Sequence, residues 1–216
     1  MELIAISLAR FVAFLELQSF DPRGQSTTQE AIQLFKDRYS FSKVPEKREE
    51  FNYQNGVEFL DGRMGAISID KLVLYNNGVA IDTRSSTDDS ERVMQDLLEE
   101  VKRLRGVVML PTRRMYLSNI VFRSHMNFTC IHPAVQPLVD AVAAAVSEYL
   151  GQSVNVDMGA VVIAPDHSQT KLNPSPFSIE RRVDTPFSAN IYFSAAPLKT
   201  DLHISLIEKF ENMLLE

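Results

Sequence analysis

Hydrophobic and polar positions follow one pattern twice along this chain. In residues 67–104 an alternating segment is followed by a polar turn at 76–78, an apolar segment and an amphipathic segment. Residues 177–214 repeat this order at low identity, with the turn at 184–186 and the apolar segment at 187–193. Alternation predicts a strand, and apolar positions three or four residues apart predict a helix. Each copy is therefore predicted to fold as two strands and a helix.

The helix predicted at residues 87–105 carries start and stop signals. Side-chain oxygens at residues 86–89 suit a helix start, and Gly106 suits the left-handed conformation that often ends a helix. The second copy closes with a helix predicted at residues 198–215. The apolar stripe of the first helix is Val93, Met94, Leu97, Leu98, Val101 and Leu104, and that of the second is Leu202, Leu206, Ile207, Phe210, Met213 and Leu214.

The segments before the first copy predict a strand, a helix and another strand. Residues 3–17 are mostly apolar, which fits a buried strand, although periodicity alone does not exclude a helix. Thr27 and Glu30 have the spacing of a capping box and open a helix that ends before Pro45. Residues 52–61 predict the next strand, which leads into the first copy.

The second half of the chain begins in the same way. Residues 116–122 predict a strand, residues 133–150 predict a helix, and residues 154–164 predict another strand region. Gly151 ends the helix. The inward face of this helix is predicted from apolar positions at helical spacing, namely Val135, Leu138, Val139, Val142, Val146, Tyr149 and Leu150.

Together these elements predict an α+β protein built by internal duplication. Each half, residues 1–106 and 107–216, reads strand, helix, three strands, helix. The halves are expected to form a curved antiparallel sheet with helices packed on one face. The alternative is two unrelated α+β units with similar patterns. The element order resembles that of the TATA-binding-protein saddle; the resemblance covers topology alone, and it implies no function because motif residues and charge do not match.

Composition narrows the range of functions. The chain has 216 residues and is 45% hydrophobic and 23% charged, a composition that predicts a globular core. Its formal net charge of −6 disfavours generic nucleic-acid binding. The single cysteine, Cys130, excludes an internal disulfide, so a reducing, cytoplasmic location is expected. Signal-peptide features and apolar runs of transmembrane length are absent from the sequence, and no membrane partner is predicted.

Three residues suggest a metal site. The sequence has no Gly-rich phosphate loop, nucleophile elbow, CxxC pair or HExxH motif, and no cofactor is predicted. His125, Cys130 and His132 are close in sequence and have the nitrogen and sulfur atoms that zinc prefers, and Asp166 or His167 could supply a fourth ligand. The alternative is two loop histidines and a small buried cysteine.

Basic residues suggest an anion-binding patch. They gather at the connection between the halves and on one strand of the second half, at Arg103, Arg113, Arg114, Arg181 and Arg182. If these side chains converge on one surface, they predict binding of phosphate groups in a nucleotide or nucleic acid. The alternative is a set of helix-end residues that complement the helix dipole.

The function predicted from these patterns is non-enzymatic binding or assembly. The sheet face left uncovered by helices, or an exposed strand edge, is expected to contact a protein partner or a second copy of the chain. Two alternatives stay open. One is a nucleic-acid or nucleotide binder that uses the arginines, and the other is a metal-dependent hydrolase.

Overall fold

The computed structural model describes residues 1–15, 28–106, 108, 110–131, 134–166, 168 and 173–215, without the side chains of residues 28–31, 104, 105 and 130. This part of the chain contains four α-helices and eight strands, so the predicted α+β class is confirmed. In chain order they are β1 (Glu2–Phe14), α1 (Thr28–Tyr39), β2 (Val57–Met64), β3 (Ile67–Tyr75), β4 (Gly78–Thr83), α2 (Thr87–Arg105), β5 (Arg113–Arg123), α3 (Val135–Leu150), β6 (Ala160–Ile163), β7 (Phe177–Arg181), β8 (Ile191–Ala196) and α4 (Thr200–Met213).

The strands are hydrogen-bonded in the order β2-β3-β4-β1-β5-β8-β7-β6. Every strand pair with a described register is antiparallel. The predicted order of strand, helix, three strands and helix occurs in both sequence halves. The strands β2 and β6 are therefore the two terminal strands of the sheet that the described residues form.

Contacts divide the chain into two compact units. The N unit contains residues 6–118 and 197–201, and the C unit contains residues 1–5, 119–196 and 202–216.

In the N unit, α1 and α2 pack on one face of strands β1 to β4. The two helices are also joined to each other, because Tyr39 Oη donates a 2.8 Å hydrogen bond to Asp96 Oδ2 and Arg38 forms an ion pair with the same carboxylate. Burial and this hydrogen bond raise the pKa of Tyr39. The shared core includes Phe11, Leu15, Phe35, Phe59, Leu72, Ile81, Met94 and Leu97.

Local signals set the boundaries of α2 as predicted. Ser86 Oγ accepts a 3.0 Å hydrogen bond from the backbone N–H of Asp89, which satisfies a free donor of the first turn. Gly106 ends the helix at φ 66°, and its N–H donates to Lys102 O. The capping box predicted for α1 at Thr27 and Glu30 lies outside the described residues.

Three predicted strands begin later than expected. Residues 52–56 form a turn in which Gly56 N–H donates to Asn52 O at 2.8 Å, so β2 starts only at Val57. The region 154–164 forms a strand only at Ala160–Ile163. The apolar segment at 187–193 starts with a 3-10 turn, Phe187–Ala189, and β8 follows it.

The C unit has an aromatic core between its strands and α4. The rings of Phe128 and Tyr192 lie 4.5 Å apart, and Phe210 of α4 lies 5.3 Å from Phe128. The same helix buries His203 against β8, where its Nε2 lies 2.8 Å from Ser194 Oγ. Because Ser194 Oγ donates its proton to a backbone carbonyl of β7, Nε2 of His203 is the donor in this contact.

The predicted inward face of α3 is partly wrong, and the apolar stripe of α4 is only partly buried. In α3, Leu138, Val142, Tyr149 and Leu150 are exposed, and no described residue of the helix is buried. This helix is apolar on nearly every side, so the spacing does not select an inward stripe. In α4, Leu202, Leu206 and Met213 are exposed, because the helix is oriented by the buried contacts of His203, Ile207 and Glu211.

Candidate interaction surface

The residues of the predicted metal site are only partly described. His125 is exposed, and its backbone N–H donates a 2.7 Å hydrogen bond to Glu211 Oε1. The side chain of Cys130 and the whole of His132 and His167 lie outside the described residues. Within the described part of the chain, no group of three His, Cys, Asp or Glu side chains could hold a metal ion. The metal site stays a prediction.

The predicted anion-binding arginines fall in both units. Arg103 and Arg114 of the N unit are exposed, and each forms an ion pair with a carboxylate of α2, Glu100 and Glu91 respectively. Arg113 is also exposed. In the C unit, Arg182 is exposed, whereas the side chain of Arg181 is only 7% exposed. The anion patch stays a prediction, and three of its five arginines are already paired with carboxylates.

Arg181 is the centre of a buried polar network. Its side chain is 7% exposed and forms an ion pair with Asp157. The guanidinium also donates to Met158 O at 3.2 Å, to Asn127 Oδ1 at 3.0 Å and to Phe187 O at 3.2 Å. Its guanidinium carbon lies over two aromatic rings, 4.7 Å from the centroid of Phe187 and 5.2 Å from that of Tyr192. These contacts join β7 to the segment before β6, to the turn after β5, and to the region from Phe187 to β8.

The carboxylate of Asp157 is held ionised by several donors. Burial raises its pKa, but hydrogen bonds from the Thr129 hydroxyl, the Met158 N–H and the Asn127 amide, together with Arg181, bring the pKa of Asp157 below its usual value. A buried carboxylate with this number of donors is a structural anchor. It fixes the chain three residues before β6 begins.

The strand β6 is a terminal strand without charged residues. Its four residues are Ala160, Val161, Val162 and Ile163. Val162 is 57% exposed and Ile163 is 64% exposed. Its outer backbone groups have no strand partner in the part of the chain that the structure describes, and an uncharged, apolar terminal strand of this kind is a template for pairing with another strand.

The hydrogen bonds to β7 define which groups of β6 face outward. Arg181 N–H donates to Gly159 O at 2.8 Å, and the register pairs Ala160 with Glu180 and Val162 with Ser178. Antiparallel partners alternate between hydrogen-bonded and non-hydrogen-bonded pairs. The N–H and C=O groups of Ala160 and Val162 therefore point away from β7, toward the open edge.

The opposite terminal strand, β2, is protected against pairing. Lys43 and Leu60 form a β-bridge on its outer side, with Leu60 N–H donating to Lys43 O at 2.9 Å. The strand also carries the charged residues Glu58, Asp61 and Arg63. Bridging segments and charges are two common means of preventing edge pairing. Of the two terminal strands, β6 is thus the better candidate for binding.

A ladder of charged side chains crosses the N-unit sheet face that α1 and α2 do not cover. Arg10, Asp82 and Lys71 lie opposite one another on β1, β4 and β3. Arg10 binds Asp82 through two hydrogen bonds of 2.6 and 2.7 Å, which raise the pKa of Arg10, and Lys71 donates to Glu58 at 2.6 Å. These charges are engaged with one another, so they stabilise the register of the sheet.

A small cavity lies beside β2. Its volume is about 230 Å³, and its lining includes Lys43, Pro45, Glu50, Gly56 and Glu58. Binding sites for drug-sized ligands are usually clefts of roughly 300–1,000 Å³. The cavity is small, and Glu50 and Glu58 already bind the backbone N–H of Lys47 and the ammonium of Lys71. We assign it no catalytic role.

No protein-family model matches this chain, and no curated protein matches it significantly. Among the helices described, none combines the length and the apolar character needed to cross a bilayer. Function is therefore inferred from the geometry of the described residues.

The polar groups that the sequence patterns did not predict include the buried side chains of Asp82 and His203 and the carboxylate of Asp157, which is 11% exposed. Asp82 had a detectable signal, since it is the one charged residue in the otherwise uncharged β4, and such a residue needs a partner. The other two had none. Asp157 lies in an irregular segment, and His203 occupies a helix position next to the exposed Leu202.

Proposed function

We propose that this chain is a non-enzymatic binding or assembly protein whose terminal strand β6 pairs with an extended segment of a protein partner. One observation carries the proposal. The strand β6 combines an uncharged sequence, exposed Val162 and Ile163 side chains and a last position in the sheet. An open apolar edge of this kind promotes aggregation, so proteins that do not bind a partner there usually protect it.

Pairing would follow the ordinary chemistry of strand addition. The partner strand accepts from and donates to the outward groups of Ala160 and Val162, and these main-chain hydrogen bonds supply affinity. The side chains of Val162 and Ile163 point to opposite faces of the sheet and contact alternate side chains of the partner. The partner is therefore an extended segment with apolar residues on both faces and few charges.

The buried network of Arg181 supports this proposal. It fixes Asp157 and Met158 against β7, and Gly159 is bound there through the Arg181 N–H. The start of β6 is thereby held in its strand geometry before a partner arrives. A binding edge that is already ordered loses less conformational entropy on binding.

The substitution Val162→Pro tests the proposal. Proline removes one outward N–H without removing a hydrogen bond to β7, and it is tolerated on edge strands. The matched control is Glu58→Pro on β2, which removes an outward N–H from the protected edge. Both variants are first compared with the wild type by circular dichroism and thermal melting.

Binding is then measured with peptides selected from a displayed library on the wild-type chain. We expect β-strand-forming peptides that bind the wild type and Glu58→Pro equally and bind Val162→Pro at least tenfold more weakly. Equal binding to all three proteins, or selection of no peptide, contradicts the proposal. Salt-sensitive capture of nucleic acid in place of peptide favours the arginine patch.

We also infer that residues 1–106 and 107–216 arose by duplication and form one curved sheet. The support is the recurrence of strand, helix, three strands and helix in each half. The strand order is also symmetric. Counted inward from the two ends, equivalent strands of the two halves occupy the same positions: β2 and β6, β3 and β7, β4 and β8, and β1 and β5. An experimental structure in which the two halves do not superpose with the same connectivity contradicts this inference.

A further inference from the structure

The helix α3 has two apolar faces, and only one of them is packed. Val135, Val139 and Val146 are half-buried on one side of the helix. On the adjacent side, Leu138 is 64% exposed and Tyr149 is 85% exposed. None of the large hydrophobic residues described in α1 and α2 is exposed to this degree. The exposed apolar side of α3 thus has no counterpart among the described residues of α1 and α2.

Four exposed apolar residues of α3 form a stripe with a symmetric spacing. Leu138, Val142, Ala145 and Tyr149 follow one another at intervals of four, three and four residues, which places them on one side of an α-helix. This spacing is the same when it is read in either direction. A second α3 that runs antiparallel therefore presents the same stripe in register.

The side chains are complementary in this antiparallel register. Leu138 of one copy lies opposite Tyr149 of the other, and Val142 lies opposite Ala145, so each large residue in the centre faces a small one. Alternation of large and small residues lets two helices approach closely. The stripe is therefore complementary to itself.

The charges of α3 do not oppose self-pairing. The helix has two acidic residues, Asp140 and Glu148, and no Lys or Arg. In the antiparallel register Asp140 is level with Ser147 of the other copy, and Glu148 is level with Val139. Like charges therefore do not face each other. The exposed stripe of α4 is a poorer candidate, because Lys209 takes the position between Leu206 and Met213 that Ala145 takes in α3.

We propose that the exposed stripe of α3 is a homodimer interface in which two copies of this chain pair their α3 helices antiparallel around a twofold axis. This surface goes beyond the function proposed for β6, and neither proposal depends on the other. The contact involves one helix from each copy, so its area is below that of a standard stable interface. The dimer is weak, with a dissociation constant on the order of tens of micromolar.

Sedimentation equilibrium of the full chain from roughly 5 to 500 μM tests the proposal. We expect the mass to rise from monomer to dimer, and the dimer to become stronger with salt, because apolar contact is retained while repulsion between two acidic chains is screened. Leu138→Lys and Tyr149→Lys each weaken dimerisation at least tenfold. Val183→Lys, at an exposed apolar residue outside α3, is the matched control and leaves it unchanged.

A cysteine experiment tests the orientation. With Cys130 replaced by serine, Leu138→Cys and Tyr149→Cys proteins are oxidised separately and as a mixture. In the antiparallel pair, a cysteine at position 138 lies roughly 16 Å along the helix axis from position 138 of the other chain, and the same holds for position 149. Position 138 of one chain instead meets position 149 of the other, so only the mixture forms disulfide-linked dimers. Cross-linking of Leu138→Cys alone identifies a parallel pair and overturns the proposal.

Three other outcomes also overturn it. A chain that stays monomeric at 500 μM has no such interface. A dimer insensitive to both lysine substitutions on α3 uses another surface. A dimer abolished by Val162→Pro, and unaffected by Tyr149→Lys, is formed by β6 and supports the function proposed for that strand.

Discussion

Arg181→Leu distinguishes a structural arginine from an anion-binding one. The substitution removes the partner of Asp157, a carboxylate that is 11% exposed, together with guanidinium hydrogen bonds to three other residues. Breaking one member of a buried ion pair costs about 3–5 kcal/mol, since the remaining charge is left uncompensated. Asp157 keeps donors from Thr129, Asn127 and Met158, so we expect the lower end of this range.

Urea unfolding followed by far-ultraviolet circular dichroism measures this loss. Arg182→Leu is the matched control, because Arg182 is exposed and its removal is expected to change the free energy of unfolding by less than about 0.5 kcal/mol. Adding Asp157→Asn to Arg181→Leu removes the unpaired charge and should recover part of the loss, which a double-mutant cycle detects as coupling.

The refuting result is a pair of variants with equal stability. If Arg181→Leu unfolds like Arg182→Leu, and instead weakens a salt-sensitive gel shift with single-stranded nucleic acid, Arg181 is part of an anion site. The buried network then does not hold the start of β6, and the support that it gives to the edge-strand proposal is lost.

Gly62, Ser86 and two buried carboxylates give three smaller predictions. Gly62→Ala places a methyl group about 2.4 Å from the Phe41 ring and should lower the free energy of unfolding by about 1–3 kcal/mol in urea titrations. Ser86→Ala removes the N-cap of α2 and should cost about 1 kcal/mol in the same assay. Folding lowers the pKa values of Asp157 and Glu211, so both carboxylates stabilise the folded chain fully at pH values above their unfolded pKa, which is near 4. This stabilisation is lost as the pH falls below that value, and the melting temperature should drop there.

Controls sharpen these three measurements. Gly159→Ala meets no atom within 4 Å, so it should be nearly neutral where Gly62→Ala is not. Ser86→Asp keeps a side-chain acceptor at the cap and should retain most of the stability. Asp157→Asn should reduce the dependence of the melting temperature on acid pH. Unchanged acid sensitivity in this variant assigns the effect to other groups.

The local elements could be predicted from the sequence because their signals are local. The turn at Asn76 and Asn77, the cap at Ser86 and the stop at Gly106 each act within a few residues, and α2 lies where they place it. The order of strands and helices followed from the same signals. The terminal position of β6 depends on contacts between distant segments, which the periodicity of one segment does not contain.

The orientation of the C-unit helices could not be predicted from their apolar spacing. In α3 nearly every side is apolar, so several stripes fit equally well. In α4 the apolar residues favour an inward Leu202 and Leu206, but His203 and Glu211 have specific buried partners and the helix turns them inward. Hydrogen bonding of buried polar groups decided the outcome, and hydrophobic periodicity carries no information about it.

The open edge of β6 can be tested most directly by hydrogen exchange of single amides in nuclear magnetic resonance spectra. In the free chain, we expect the Val162 amide to exchange at least tenfold faster than those of Val161 and Ile163, which bond to β7. Addition of a peptide selected on the wild-type chain should then slow exchange at Val162. Protection of Val162 in the free chain, or a bound peptide that leaves its exchange unchanged, contradicts the proposal that β6 is a binding edge.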